Sequence, residues 1–424
     1  MIPMFKNKLF KTGAKFSVAS STSAIITMVI GLVMMRWLFP YEIGKWNEVS
    51  IFGSYLPFLQ LGIQTGLSVE LPIKLGSNDS EKVKTHIATG YWFAIFISIV
   101  ILILGAALTY IYYNKGGLDS ALGVMTITIC GICTSFTLHA TARFRSSKAF
   151  DDLTKVIWLT IPFTLFSVFF IYKFHYYGVL LYNVIPAIAG VVLRWIYLPF
   201  KNVRPKFFKD DMGSLLRVGI ALLIPNNLHN AAQTLPRWII LKFANVATLG
   251  LFSPAIAVNG LISLLPTQIA QFFHPQMGYI YGQTGKARDT WSYVKKMNLY
   301  MPLAALPIVI TIWLLAPWGL KVFFPKYVES MWAMRIMSIA FLFSCSFTTL
   351  VVFFTIHAYK YAYIVTITDF IGCFVFPFIC AKIMDANILT SVTIGLLINN
   401  IVVYLLNFLL LRYALHLKKY NGNC

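Results

Sequence analysis

Acidic residues are scarce in this sequence: 14 Asp and Glu stand against 35 Lys and Arg in 424 residues. All charged residues together make up 12%, about half of the roughly 25% found in soluble domains. That leaves too little polar surface to coat a water-soluble body of this size. Disorder requires low hydrophobicity, and 58% of these residues are hydrophobic. Cysteines number six and are scattered, so no disulfide framework is indicated. The one close pair, Cys130 and Cys133, forms a CxxC inside the apolar run ALGVMTITICGICTSF. With no second ligand pair nearby in sequence, it reads as small helix-packing residues rather than a zinc or redox site. Neither a glycine-rich phosphate loop ending in Lys-Ser/Thr nor an HExxH is present. No catalytic residue, metal or cofactor is therefore expected.

What the chain has in abundance is long apolar runs. A bilayer-spanning helix takes about 20 residues. Runs of that kind lie at about 16–38, 49–71, 87–112, 121–142, 156–174, 178–199, 215–241, 249–272, 298–316, 331–356, 361–383 and 389–413. The fold class expected is an all-α polytopic membrane protein with twelve transmembrane helices. The basic N-terminus (Lys6, Lys8, Lys11, Lys15) precedes a run too long for a signal peptide, so the first run reads as a retained helix. With twelve spans, 24 of the 35 basic residues fall in loops on one side and 10 on the other, while Arg194 lies inside a span. Basic residues are retained in cytoplasmic loops, which places both termini in the cytoplasm. The same bias accounts for the net charge of +21 without a nucleic-acid partner.

An internal repeat is visible. Run 1 ends Arg36-Trp37-Leu38 and leads to Ile43-Gly44; run 7 contains Arg237-Trp238-Ile239 and leads to Leu249-Gly250. The Arg–Trp offset is 201 and the glycine offset 206. Matching run 1 to run 7 predicts two six-helix halves, 1–212 and 213–424, around a central cavity.

Several runs carry polar stripes. Run 7 has Asn226, Asn230, Gln233, Thr234 and Arg237 at helical spacing, broadened by Asn227 and His229; run 2 has Gln60, Gln64 and Ser68. Run 8 has Asn259, Ser263, Thr267 and Gln271, and run 1 has Ser20, Ser23 and Thr27. Such groups either glue helices together or line water. Three amides and an arginine on run 7 exceed what glue needs, so a water-filled cavity lined by runs 1, 2, 7 and 8 is the preferred reading. Prolines at 57, 225, 236, 254 and 266 fall in three of these runs. Each releases a backbone carbonyl that protein or cavity water must satisfy. Glu48 and Glu70 sit at the ends of run 2, and Asp369 lies within run 11. An intramembrane carboxylate is either a proton site or the partner of an arginine such as Arg36 or Arg335.

These residues resemble the multidrug/oligosaccharidyl-lipid/polysaccharide (MOP) flippase superfamily, most closely its O-antigen and polysaccharide flippase branch. The turn RWLFPYEIG, Arg36 to Gly44, resembles that branch's R-x-L-x-P-x-E-x-G turn. The stretch from Leu61-Gly62 through Glu70-Leu71-Pro72 and Leu75-Gly76 to Asp79-Ser80-Glu81-Lys82 resembles its LG…ELP…G…DxEK segment, with Val69 where members often carry arginine. Phe273-His274-Pro275-Gln276 and Phe324-Pro325-Lys326-Tyr327 resemble two further loop motifs. The resemblance implies a transporter, not an enzyme, of the bacterial cytoplasmic (inner) membrane. It implies export of an undecaprenyl-diphosphate-linked oligosaccharide for O-antigen, lipopolysaccharide or capsule synthesis, alongside glycosyltransferases and a polysaccharide polymerase. The residues expected to hold the headgroup are Arg237 first, then Arg36 and Arg194, with Asn226, Asn230, Gln60 and Gln64. Glu70 and Asp369 are the candidates for ion coupling. Two alternatives stand: a multidrug antiporter of the same fold, which would want a carboxylate deep in an N-terminal-half helix where span 1 has none, and a polymerase, which would want a large outer loop.

Overall fold

The computed structural model describes residues 2–77, 79–262, 277, 280, 281, 283–356, 358–384 and 386–417, and every element among them is helical. In hydrocarbon each backbone N–H and C=O must be satisfied within its own segment, which leaves helices for sequences this apolar. Seven helices among the described residues are long and apolar enough to cross a bilayer. Their outward faces carry large apolar side chains, such as Tyr110, Leu314 and Ile383 at 70, 71 and 74% exposure. Those faces suit lipid, not water.

The chain divides into two compact units, residues 1–38 with 45–227, and residues 39–44 with 228–424. The first unit holds α1 (Ile2–Trp37), most of α2 (Pro40–Leu59), α3 (Ile63–Gly76), α4 (Ser80–Ser146), α5 (Phe150–Phe174), α6 (Tyr176–Ile196) and most of α7 (Lys209–Ala232). The 67 residues of α4 are two antiparallel limbs, because Gly117 takes φ 72° and ψ −165° and turns the chain. Ile63, Leu67, Leu71, Ile87, Phe93, Ile97 and Leu215 form this unit's core. The second unit holds α8 (Leu235–Phe243), α9 (Val246–Leu251), α10 (Trp291–Phe323), α11 (Met331–Ser344), α12 (Val351–Thr355), α13 (Tyr359–Ile383) and α14 (Ile388–His416). One of its cores joins Ile239, Ile240, Leu249, Phe252, Met337, Val392 and Leu396.

Three of the apolar runs are not single helices. Run 2 breaks between α2 and α3, where Leu61 and Gly62 take φ 48° and 74°. Gly62 also lies in backbone contact with Gly219, and Gly66 with the Leu215 carbonyl. The paired numbers fall as their partners rise, so α3 runs antiparallel to α7 at the closest approach two helices make. Run 7 is interrupted at 233–234, ahead of Pro236, where Thr234 keeps helical φ −91° and ψ −21° but Pro236 has no N–H to offer the Ala232 carbonyl four residues back. Run 10 loosens into a 3₁₀ segment, Cys345–Leu350. The end of run 8, from residue 263, and the Phe273–Gln276 motif fall outside the described residues.

The turns at 39–44 and 245–250 share a local spacing, though their caps run in opposite senses. Glu42 Oε2 accepts from the Phe39 N–H at 2.8 Å, opening α2. Asn245 Oδ1 accepts from the Thr248 N–H at 2.9 Å, opening α9. Both pairs are separated by 206, as are Gly44 and Gly250. At that offset Trp37, the end of α1, corresponds to Phe243, the end of α8. Arg36 then corresponds to Lys242. Past Arg237, α8 continues for more than a turn before the connection begins.

Candidate functional site

In the first unit the stripe on run 2 meets the second limb of α4. Gln60 Nε2 donates to Ser135 Oγ at 2.6 Å. Gln64 Nε2 donates to the Gly90 carbonyl at 2.9 Å, and its Oε1 lies 3.2 Å from His139 Nδ1. Both pairs are 75 residues apart, so the two segments run parallel and in register. Gln60 and Gln64 are 5 and 4% exposed, and His139 is stacked on Tyr91 at 5.5 Å between ring centroids. These are the interhelical hydrogen bonds that the sequence left as one of two readings. Gln60 also lines a cavity of about 110 Å³, together with Pro57, Cys130 and Thr134. Its Oε1 is buried there without a hydrogen bond.

The basic residues take different positions. Arg36 is exposed at the last turn of α1. Arg194 is half-buried, and its Nη1 donates to the Gly190 carbonyl one turn back, at 2.9 Å. Arg143, not singled out from the sequence, is 1% exposed. Its Nη2 donates to the Pro199 carbonyl at 2.6 Å and to that of Phe200, closing the chain end that follows α6. Glu70 is half-buried on α3.

In the second unit the polar groups gather at Asp369, 2% exposed in the middle of α13. Its Oδ2 lies 2.7 Å from His229 Nδ1. Its Oδ1 accepts from Asn399 Nδ2 at 3.0 Å and from the Cys373 thiol at 3.6 Å. The His229 ring stacks on Phe347 at 3.7 Å. A carboxylate, an imidazole and an amide from α7, α13 and α14 thus form one network in an apolar segment. The expectation of an arginine partner for Asp369 is corrected here. Arg335 lies elsewhere, between the Trp313 and Trp332 rings, with its Nη2 on the Trp313 carbonyl at 2.8 Å. Pro317, four residues on, has no N–H to offer that carbonyl, so Arg335 satisfies a proline-released group. His229 was visible in the sequence only as a neighbour of the run-7 stripe, and Asn399 gave no signal. Asn230 is exposed and Arg237 half-buried on α8, while the side chain of Asn226 lies outside the described residues.

A further cluster ties the first unit together at the Gly117 turn. Lys45 Nζ lies 2.5 Å from Asp119 Oδ2, and the Tyr177 hydroxyl donates to Asp119 Oδ1 at 2.6 Å. Tyr176 donates to the Asp119 carbonyl at 3.0 Å. The bonds from Lys45 and Tyr177 hold the Asp119 carboxyl below its ordinary pKa, against the opposing effect of burial.

Residues 33–333 match the family model described as "Polysaccharide biosynthesis protein". The chain belongs to the polysaccharide biosynthesis protein family. A comparison with curated proteins finds no match. Among solved structures, an inward-facing multidrug resistance MATE family transporter of the MOP superfamily is similar with TM-score 0.73 and 16% identity, over 93% of this chain and 94% of that one. An outward-facing conformation of such a transporter gives 0.62 and 16%, over 96 and 95%. A MOP superfamily transporter from Pyrococcus furiosus Vc1, whose binding pocket is described as having reverse polarity, gives 0.66 and 16%, over 96 and 95%. This member of the polysaccharide biosynthesis family is a multi-pass helical membrane protein with the MOP transporter fold.

Proposed function

We propose that the protein is a flippase. It exports an undecaprenyl-diphosphate-linked oligosaccharide, an O-antigen- or capsule-type repeat unit, across the bacterial inner membrane by alternating access, with both termini in the cytoplasm. The observation that carries this reading is the family match, which spans 33–333 on a fold shared with inward- and outward-facing transporters. A sugar diphosphate cannot enter hydrocarbon unaided, because its hydroxyls and charges would lose their water. Arginines and amides replace that water while the polyprenyl tail stays in lipid. Arg237 leads, because a guanidinium makes paired charge-assisted hydrogen bonds to phosphate oxygens. Arg36, Arg194, Asn226 and Asn230 supply further contacts, with Gln60 through its unbonded Oε1, while Gln64 is engaged by Gly90 and His139. Glu70 and the Asp369 network are the groups available to couple an ion. The multidrug reading rests on the fold alone.

The experiment is export of surface polysaccharide in cells that depend on this protein. Arg237→Ala and Arg237→Glu are expected to abolish export with normal amounts of protein in the membrane. Arg237→Lys is expected to keep part of it, since the charge survives and the fork does not. Normal export by Arg237→Glu would remove Arg237 from the headgroup site. In vesicles, failure to move a labelled polyprenyl-diphosphate oligosaccharide, with efflux of hydrophobic cations instead, would establish the multidrug reading.

A further inference from the structure

The two limbs of α4 meet at Gly105 and Thr128, where a Cβ on the glycine would clash with the threonine side chain. Along this stretch, toward the Gly117 turn, lies a cavity of about 500 Å³. Leu102, Ala106, Tyr110 and Tyr113 line it from one limb, and Leu118 and Met125 are among its lining on the other. Steps of three, four and seven put each set on one helix face. Leu102, Tyr113, Leu118 and Met125 are 46–58% exposed, so this is a groove on the outside of the first unit and not a void in its core. The Thr128 hydroxyl is engaged, donating to the Val124 carbonyl at 2.9 Å. An apolar hollow of this kind offers water too few partners, while a hydrocarbon chain gains dispersion contacts along both walls.

The groove has the length of one leaflet. From Leu102 to Tyr113 the first limb rises about 16 Å at about 1.5 Å per residue, and half of a hydrocarbon core is about 15 Å deep. That matches a phospholipid acyl chain, whereas an undecaprenyl tail is far longer than one leaflet. Tyr110 and Tyr113 stand toward the turn, and tyrosine rings favour the level where hydrocarbon meets headgroups. Lys115 follows two residues after Tyr113 and is exposed. The one carboxylate of the turn, Asp119, is already taken by Lys45 and the Tyr177 hydroxyl. Lys115 makes no ion pair among the described residues. The groove thus ends on an unbalanced positive charge, which suits a headgroup of net negative charge.

We propose that the groove between the limbs of α4 is a binding site for one anionic phospholipid, its acyl chain lying along Ala106 and Met125 and its phosphate meeting Lys115. The site is separate from the residues assigned to the transported headgroup and does not depend on export. The test takes the full-length protein in detergent, adds phosphatidylglycerol, phosphatidylcholine or undecaprenyl phosphate, and counts the lipids retained by native mass spectrometry. One phosphatidylglycerol is expected to be retained, with a preference over phosphatidylcholine of about five-fold, the worth of one lysine beside an anionic lipid. Lys115→Gln removes the preference while the chain still binds. Ala106→Trp fills the groove and is expected to lower retention at least ten-fold. Ile103→Trp, on the exposed face of the same limb outside the groove, leaves retention unchanged. Equal retention of the two phospholipids by the parent overturns the proposal, as does an Ala106→Trp protein that retains lipid like the parent. An equal loss in Ile103→Trp would make the lipid part of the general annulus, which overturns the site. Displacement of phosphatidylglycerol by an equimolar amount of undecaprenyl phosphate would give the groove to the transported lipid and overturns it too.

Discussion

A carboxylate buried in an apolar segment is costly unless every lone pair finds a donor. Asp369 has three donors within reach, from His229, Asn399 and Cys373. Its partner His229 is itself held flat against Phe347, which limits where the ring can turn. Removing His229 leaves the carboxylate with weaker donors, a loss on the scale of a hydrogen bond to a charged group, about 2 kcal/mol. His229→Ala is therefore expected to lower the apparent unfolding temperature in detergent. Adding Asp369→Asn should return part of that loss, because the amide carries no charge to strand. Coupling of about 1 kcal/mol or more between the two changes is expected. Strict additivity would mean that the 2.7 Å contact carries no energy.

At the scale of elements, the apolar runs were readable because a spanning helix needs little beyond length and hydropathy, and the helices of the first unit lie where those runs predict. The breaks were harder. Pro57 and Pro236 were visible, but the breaks fall after Pro57, where Gly62 meets Gly219, and before Pro236. A backbone contact between distant glycines leaves no local signature in sequence. Nor does the partner of Asp369, since charge alone favoured an arginine and burial selected His229. The contact of Lys45 with Asp119 shows how elements are tied: one ion pair joins α2 to the turn of α4, and Tyr177 adds α6. The folded pKa of Asp119 is depressed, so its contribution is present above the unfolded pKa of about 3.9 and is lost as pH falls through the folded value. Its side chain is 34% exposed, so solvent screening keeps the contribution near the surface-pair scale of about 0–1 kcal/mol. Asp119→Asn is expected to melt below the parent at pH 7, with the gap closing below about pH 4. A gap that does not narrow as the pH falls below about 4 would mean that shape, not charge, holds the turn.

For the whole molecule the open quantity is the driving force. A diphosphate headgroup carries about two negative charges, and the cell interior is negative. Outward movement then releases roughly 2.3 kcal/mol per charge per 100 mV, or about 4–5 kcal/mol per 100 mV if the charges cross uncompensated. That is enough to bias export without a second ion. The cluster of Asp369 with His229 and Asn399 offers the rival route, a site that takes up and releases a proton as the protein alternates. The two drives differ in what each needs. Under potential drive, collapsing the potential at constant pH gradient slows flipping in reconstituted vesicles, and Glu70→Gln and Asp369→Asn each keep part of the rate. Under proton exchange the rate survives loss of the potential, disappears with the pH gradient, and is abolished by Asp369→Asn. The expected result is the first, because the arginines proposed to meet the headgroup neutralise it only while they stay with the protein. If they return uncovered after release, the net charge moved in a cycle is that of the substrate. A rate indifferent to potential would show that the headgroup crosses with compensating charge, and would assign the coupling to Asp369 and His229.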